Sequence, residues 1–96
     1  MRDIRYLKNG IFEDSEQETL KEKKVAVIGC GGLGGYVIEM LARIGIGHLV
    51  LCDYDVFDES NLNRQLMSTE SNVGNNKALE AAKRVLEINS HIRMTV

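Results

Sequence analysis

The stretch KVAVIGCGGLGG, residues 24–35, joins a short apolar run to a cluster of glycines. The apolar run over residues 24–28 predicts a strand that is buried on both faces, as in a parallel sheet. Gly29, Gly31 and Gly34 then fit the pattern G-x-G-x-x-G, which forms a phosphate-binding turn when it lies between a strand and a helix. The stretch therefore predicts a strand, a tight turn and the start of a helix.

Each glycine of this pattern has a physical role. The first permits the tight turn, the second lets a phosphate approach the backbone, and the third lets the helix pack closely on the strand. The free N–H groups and the positive dipole end of the helix then favour an anion. Asp53 ends the next apolar run, at a place where a carboxylate accepts hydrogen bonds from ribose hydroxyls. These residues together predict a nucleotide site.

Apolar periodicity outlines the other elements. Residues 14–23 are charged and rich in good helix formers, and residues 49–52 form a second apolar run that predicts a strand. The helix after the glycines is expected to present one apolar face, formed by Leu33, Val37, Met40, Leu41 and Ile44. Residues 54–75 are polar and loop-like, and residues 92–96 resemble a third strand. Between them, residues 76–88 predict a second amphipathic helix, with Ala78, Ala81, Ala82, Val85 and Ile88 on one face.

This alternation of helices and strands predicts an α/β fold. We expect the N-terminal half of a Rossmann-like, doubly wound parallel sheet, with about three strands in the order 3-2-1 and flanking helices. Residues 1–23 would form an N-terminal helical arm, and residues 24–96 a partial nucleotide-binding domain. Half a sheet leaves its first strand with an unpaired edge. Either two copies pair to cover that edge or, as we favour, the domain is truncated at its C-terminal end.

Composition narrows the class of protein. The 96 residues suffice for one small domain, and the net charge of −2 argues against a dedicated nucleic-acid binder. No apolar stretch has the length of about 20 residues that spans a bilayer, and the N-terminus has no secretory h-region. Cys30 and Cys52 form no C-x-x-C pair, so we expect no zinc site, two buried thiols and a cytoplasmic protein.

Residues 53–77 favour ATP over other nucleotides. The glycine pattern alone does not choose among NAD, FAD and ATP, and a dehydrogenase half-domain would look the same as far as Asp53. Here, however, a long polar connection brings Arg64 and Lys77 into the same region. Arginine supplies a planar fork of donors and lysine a compact positive charge, and both suit a triphosphate.

The same segment carries a family resemblance. DYDVFDESNLNRQ, residues 53–65, and VGNNK, residues 73–77, resemble the patterns D-x-D-x-V/F-x-x-S-N-L-x-R-Q and V-G-x-x-K of the ThiF/MoeB/HesA family. These adenylating enzymes are bacterial relatives of the ubiquitin-activating enzymes. The upstream pattern G-x-G-G-L-G strengthens the match, which covers nearly the whole chain. The partial domain at residues 24–96 is therefore expected to bind ATP.

The resemblance implies a role for each matching residue. Gly32 would lie against the nucleotide, and Asp53 would hold the ribose. Asn61 and Arg64 would contact phosphates, and Lys77 would add a further charge on the phosphate side. Arg64 and Lys77 are thus the expected catalytic residues within the chain.

Two places depart from the family pattern. Asn63 stands where glutamine is more common, which leaves the expected ligands intact. The family also has an R-Y-x-R segment whose second arginine reaches into the partner subunit's ATP site. We match it to Arg2-Asp3-Ile4-Arg5, with Asp3 in place of the tyrosine. Arg5 is therefore a candidate catalytic residue that acts in trans, and a solvated N-terminal arginine is the alternative.

The resemblance also implies a reaction. The C-terminal glycine carboxylate of a ubiquitin-like sulfur-carrier protein, ending in Gly-Gly, would attack the α-phosphate of ATP and give an acyl-adenylate and pyrophosphate. A homodimer is expected, and so is Mg²⁺, held by an aspartate downstream of this chain. Thiamin, molybdopterin, cysteine and tRNA modification are all compatible, since some relatives activate a tRNA-borne carboxylate. We expect the 96 residues alone to bind ATP weakly and not to catalyse adenylation.

Two other classes stay open at this point. The chain could be half of a nicotinamide- or flavin-dependent oxidoreductase, in which case NAD binding would survive competition by ATP. It could instead be a non-catalytic dimerisation module of the same fold. Replacing Arg64 and Lys77 with alanine would then have no effect on its function, whereas it would abolish ATP binding in an adenylating enzyme.

Overall fold

The computed structural model describes residues 4–6, 9–10 and 12–96. No helix in these ranges is long and apolar enough to cross a membrane. The elements follow one another in this order: a 3₁₀ helix Ile4–Tyr6, α1 Asp14–Glu22, β1 Lys24–Ile28, α2 Gly32–Ile44, β2 His48–Cys52, two 3₁₀ helices Glu59–Asn61 and Glu70–Asn72, α3 Lys77–Ile88 and β3 Arg93–Thr95.

The three strands form one parallel sheet in the order β1-β2-β3. This confirms the predicted 3-2-1 order of the half sheet, with helices as the crossovers between neighbouring strands. Ile28 lies opposite Cys52, so β1 and β2 end at the same level. The segments that follow these two strands, the glycine turn and Asp53, are therefore neighbours at the carboxyl edge of the sheet.

In the described part of the chain, helices α2 and α3 cover the same face of the sheet. Val27, Leu49 and Leu51 point to that face and are buried, whereas Ile28 on the other face is 77% exposed. The prediction that β1 is buried on both faces is therefore wrong for this chain, because α2 and α3 both pack on the same side. Cys52 shares the open face and is exposed, so the expectation of two buried thiols holds for Cys30 alone.

Helix α2 has two apolar faces. Its buried residues are Gly35, Ile38 and Ala42, which face the sheet and α3. Most of the face that the sequence predicted points to solvent instead, with exposed Leu33, Val37 and Met40 beside Tyr36. Periodicity selected the wrong stripe because apolar residues surround most of this helix, and the period alone does not tell which side the sheet covers.

The other two helices follow their sequence signals. In α3, Ala78, Ala81, Ala82 and Val85 are buried as predicted, and Ile88 is partly buried against the core. Helix α1 lies at the amino edge of the sheet. It begins with a capping box in which the Glu13 N–H donates to the Glu16 side chain at 2.8 Å. Its buried Gln17 donates through Nε2 to the carbonyl of Ile44 at 2.7 Å, which fixes α1 to the end of α2.

The polar connection after β2 is ordered. Phe57 and Met67 are buried in the core, 1% and 3% exposed. Val56 pairs with Asn76 in an antiparallel bridge, and the N–H groups of Phe57 and Lys77 donate to the carbonyls of Asn75 and Asp55. These contacts fold the connection back on itself, so that Lys77 starts α3 close to the end of β2.

Candidate nucleotide site

The glycine turn has the geometry that a phosphate requires. Gly29 and Gly32 have φ angles of 90° and 35°, and a Cβ at either position would meet no atom within 4 Å. The backbone in front of these two residues is therefore open. A Cβ on Gly34 would lie 1.8 Å from the carbonyl oxygen of Gly29, so helix α2 packs against the turn at a distance that only glycine permits.

Asp53 holds the turn in place. Its Oδ2 accepts a hydrogen bond from the Cys30 N–H at 2.7 Å, and its Oδ1 accepts one from the Asp55 N–H at 2.8 Å. Asn76 donates through Nδ2 to the carbonyl of Asp53 at 2.9 Å. Each carboxylate oxygen has more than one acceptor site, so both remain able to accept from a ribose. The ribose role of Asp53 stays a prediction.

Asn61 is the last residue of the short 3₁₀ helix Glu59–Asn61, and Arg64 lies in the turn that follows it. The Oδ1 atom of buried Asn61 accepts the Asp58 N–H at 2.9 Å, which leaves the side-chain amide N–H groups for other contacts. Exposed Arg64 donates through Nη1 to the carbonyl of Ser60 and to Oδ1 of Asn63, both at 2.9 Å. Asn63, which departs from the family pattern, thus orients the arginine expected to bind phosphate.

Lys77 is a buried cation at the first position of α3. It is 8% exposed, and its Nζ lies 5.6 Å from the centroid of the Phe57 ring. No ion pair between the described residues includes it. The positive end of the helix dipole adds to its charge rather than offsetting it. The charge at this position is therefore available to an anion such as a phosphate.

The charge of Lys77 acts on the glycine turn. Burial raises the pKa of the Cys30 thiol to about 11, the negative charge of Asp53 adds to the rise, and the positive charge of Lys77 opposes it. Hydrogen bonds from Ser60 lower the pKa of Asp58, and Lys77 lowers it further. Lys77 therefore lies within electrostatic reach of both the turn and the segment that carries Arg64.

The prediction missed Gln65. This residue is 9% exposed, and its buried Oε1 has no hydrogen-bond partner among the described residues. A Cβ on Gly31 would lie 2.4 Å from that Oε1, so the Gln65 amide sits against the second glycine of the turn. The signal was present in the sequence, since Gln65 is the last residue of the S-N-L-x-R-Q match.

Arg5 lies away from these residues. Its Nη1 donates to Oδ1 of Asn89 at 2.6 Å, and it lines a cavity with Ala42 and Arg43 at the C-terminal end of α2. Helix α2 has 13 residues and is therefore about 20 Å long. Arg5 is thus separated from the glycine turn of its own chain by the length of this helix, and its role in trans stays a prediction.

The donors present here fit a nucleotide but not a metal ion. The open backbone at Gly32 and the unpaired charge of Lys77 suit phosphate groups. Within the described ranges, no group of three His, Cys, Asp or Glu side chains is placed to hold a metal ion. The residues described here therefore do not by themselves build a Mg²⁺ site.

Comparison with known proteins agrees with this geometry. The family model described as "ThiF family" matches residues 5–96. The chain belongs to the ThiF family. Among its relatives, the molybdopterin-synthase adenylyltransferase of Escherichia coli K12 is 39% identical over 84 residues, which are 88% of this chain and 34% of that protein. The probable adenylyltransferase/sulfurtransferase MoeZ of Mycobacterium tuberculosis is 41% identical over 93 residues, 94% of this chain and 24% of that protein.

Solved structures of ThiF-like proteins share the fold. The structure of E. coli tRNA N6-threonylcarbamoyladenosine dehydratase, TcdA, in complex with ATP has a TM-score of 0.88 and 36% identity, covering 91% of this chain and 36% of that one. The structure of E. coli MccB with AMPCPP and MccA has a TM-score of 0.80 and 40% identity, covering 82% of this chain and 24% of that one. The chain thus spans about a third or less of the length of these relatives.

The start of the family match bears on the N-terminal motif. It begins at Arg5, and Arg5 is followed directly by Tyr6. The order Arg-Tyr of the family segment also occurs at residues 5–6, and a motif that starts there would have Lys8 at its fourth position. Lys8 lies outside the described residues. Arg5 and Lys8 are accordingly the two basic residues to test for a role in trans.

Proposed function

We propose that this ThiF-family chain carries the ATP-binding part of an adenylyltransferase. The activity is the activation of the C-terminal glycine carboxylate of a ubiquitin-like sulfur-carrier protein. Lys77 is the observation that carries the proposal, because this largely buried lysine has no ion pair among the described residues, begins α3, and acts electrostatically on the open glycine turn, so its charge is available to a phosphate. The relatives named as adenylyltransferases support the same reaction class.

In the proposed reaction, a carboxylate oxygen of the carrier attacks the α-phosphorus of ATP. A new phosphorus–oxygen bond forms, the bond to the β-phosphate oxygen breaks, and pyrophosphate leaves with its electron pair. The backbone N–H groups of the turn and the charges of Arg64 and Lys77 stabilise the negative charge on the phosphates. Asp53 and Asn61 orient the nucleotide. No nucleophilic side chain takes part, which agrees with the buried, protonated thiol of Cys30.

Magnesium is part of the proposal but not of these residues. ATP-dependent phosphoryl-type transfer uses a metal ion to neutralise charge on the phosphates. We propose that the aspartate that holds it lies downstream of residue 96, as the resemblance to the family implies. The steps above depend only on groups within this chain and the two substrates.

We propose further that the site is completed in a homodimer. The exposed stripe Leu33, Tyr36, Val37 and Met40 follows helical spacing along α2. An isologous contact of this stripe with its copy would run the two α2 helices antiparallel. The glycine turn at the start of one α2 would then lie beside Arg5 at the end of the other. The separation of Arg5 from its own turn supports this arrangement.

Titration calorimetry with ATP tests the nucleotide site. Lys77→Met keeps the volume of the side chain but removes its charge, and we expect ATP affinity to fall at least tenfold, since a charge-assisted hydrogen bond contributes about 1.5–3 kcal/mol. Arg64→Gln should behave similarly. Lys83→Met on the exposed side of α3 is the matched control and should bind ATP as the parent does. Equal binding by all four proteins would contradict the proposal.

Exchange of pyrophosphate into ATP tests the reaction. We expect none from these 96 residues alone, with or without a carrier protein ending in Gly-Gly. Rapid carrier-dependent exchange would show that the chain is a complete active site. Binding of NAD that persists in excess ATP would instead favour an oxidoreductase. A tRNA-borne carboxylate is the second candidate substrate, because TcdA is named as acting on tRNA, and exchange that depends on tRNA would identify it.

A further inference from the structure

The side chain of Asn89 connects the end of α3 to the N-terminal segment. Asn89 is the C-cap residue of α3 and is 2% exposed. Its Oδ1 accepts a hydrogen bond from Nη1 of Arg5 at 2.6 Å, and its Nδ2 donates to the hydroxyl of Tyr6 at 2.5 Å. These partners are 84 and 83 residues away along the chain. One buried amide therefore fixes Arg5 and Tyr6 to the helix layer.

The C-terminal end of α2 contacts the same segment. Tyr6 is 3% exposed, and a Cβ on Gly45, the C-cap residue of α2, would lie 2.7 Å from Cζ of its ring. Asn9 donates through Nδ2 to Oε1 of buried Gln17 in α1 at 3.0 Å. The described residues of the N-terminal segment are thus held by α1, by the end of α2 and by the end of α3. This end of α2 is remote from the glycine turn.

The contact with Asn89 orients Arg5 without neutralising it. An asparagine amide is uncharged, so its oxygen accepts a hydrogen bond from the guanidinium and leaves the positive charge in place. Arg5 lines a cavity of about 200 Å³ with Ala42, Arg43 and Asn89, and no carboxylate is among the described residues that line it. Arg43 pairs with Glu39 on its own helix at 3.3 Å. Arg5 is therefore the residue whose charge suits a phosphate at this cavity.

We infer that Asn89 is a positioning residue, which orients Arg5 toward the nucleotide bound by the partner subunit. The inference rests on the proposed function and its homodimer, in which Arg5 at the end of one α2 lies beside the glycine turn of the other. A long side chain loses conformational entropy when it is fixed. Because the hydrogen bond to Asn89 fixes Arg5 before ATP binds, that loss does not reduce the affinity for ATP.

Titration calorimetry with ATP on the whole chain tests the inference. Asn89→Ala and Arg5→Gln should each weaken ATP binding roughly threefold or more, and the double variant should be no weaker than Arg5→Gln, because Asn89 acts through Arg5. Asn89→Ser replaces the alanine variant if that variant does not fold. Tyr6→Phe is the matched control: it removes the other hydrogen bond of Asn89, so it should lower the thermal unfolding midpoint and leave the ATP affinity unchanged. Additive losses in the double variant, or equal affinities in Asn89→Ala and Tyr6→Phe, would overturn the inference.

Mixed dimers distinguish a failure of this inference from a failure of the proposed function. An Asn89→Ala chain keeps its Lys77 and a Lys77→Met chain keeps its Asn89, so one site of their mixed dimer has both, and mixing should restore sites with the parent affinity. Arg64→Gln mixed with Lys77→Met is the control and should restore none, because both changes affect the same site. Sites that stay weak in the first mixture would overturn the role of Asn89 alone. A parent chain that binds no ATP would contradict the proposed function, and the inference with it.

Discussion

The third glycine of the turn shows how a single residue limits the fold. Alanine at position 34 would gain about 1 kcal/mol of helix propensity, but its Cβ would meet the carbonyl oxygen of Gly29 at 1.8 Å. Overpacking of this kind costs about 1–3 kcal/mol. We expect Gly34→Ala to lower the free energy of unfolding measured in urea. Gly10→Ala, which has no atom within 4 Å of its Cβ, is the control and should be nearly neutral.

The two thiols should differ in reactivity. Exposed Cys52 should react with a disulfide reagent in the native chain at pH 8, whereas Cys30 should react only after unfolding.

The raised pKa of Cys30, about 11 against 9.0, also has a consequence for stability. Between these two values the unfolded thiol releases its proton and the native thiol keeps it, so stability should fall as pH rises from 9 to 11. The variant Cys30→Ala should lose this dependence, and its persistence would contradict the assignment.

Some individual residues could be predicted from the sequence because both their type and their spacing along the chain indicate their position in the fold. The glycines of the turn could be placed because the backbone geometry requires them. Asp53 could be placed because it lies where the second strand ends. Gln65 was missed although it ends the S-N-L-x-R-Q match, because nothing in the sequence places its amide against Gly31. The contact between Asn63 and Arg64 was missed for the same reason, since neighbouring side chains in a loop have no period to predict their direction.

At the scale of elements, α2 shows which features the apolar periodicity of a sequence predicts and which it leaves open. The presence of a helix after the glycines followed from sequence, and so did the apolar face of α3. The choice between the two apolar faces of α2 depended on which side the sheet covers, and that is tertiary information. Burial of β1 on both faces failed for the same reason. Among the described residues, α2 and α3 pack on the same side of the sheet.

The exposed stripe of α2 leads to a prediction at this scale. Met40 is 67% exposed, so Met40→Glu should leave the thermal unfolding midpoint nearly unchanged while it shifts the chain from dimer to monomer. Light scattering after gel filtration measures the shift. Leu79→Glu on α3 changes an exposed apolar residue, 55% exposed, outside the stripe, and should leave the dimer intact. A parent chain that is monomeric at 100-fold dilution and at high concentration alike would contradict the proposed dimer.

At the scale of the whole molecule, the free energy of unfolding should depend on the residues that point to the helix-covered face of the sheet. Leu51 is 1% exposed and Ile28 is 77% exposed, although the two residues lie in neighbouring strands. We expect Leu51→Ala to cost about 2–5 kcal/mol of unfolding free energy and Ile28→Ala to change it by less than about 0.5 kcal/mol. Urea denaturation measures both. Similar losses in the two variants would show that the second face is covered in solution.

The position of β1 has a consequence for solubility. With the order β1-β2-β3, one side of this strand presents unpaired backbone N–H and C=O groups, and its sequence KVAVI is apolar, β-branched and free of proline. Such a segment is a template for strand addition and aggregation. Lys23 and Lys24 lie at the N-terminal end of this segment, and their charges oppose its association with another strand. Salt that screens these two charges should therefore promote precipitation of the chain. Lys23 and Lys24 thus also protect the molecule from self-association.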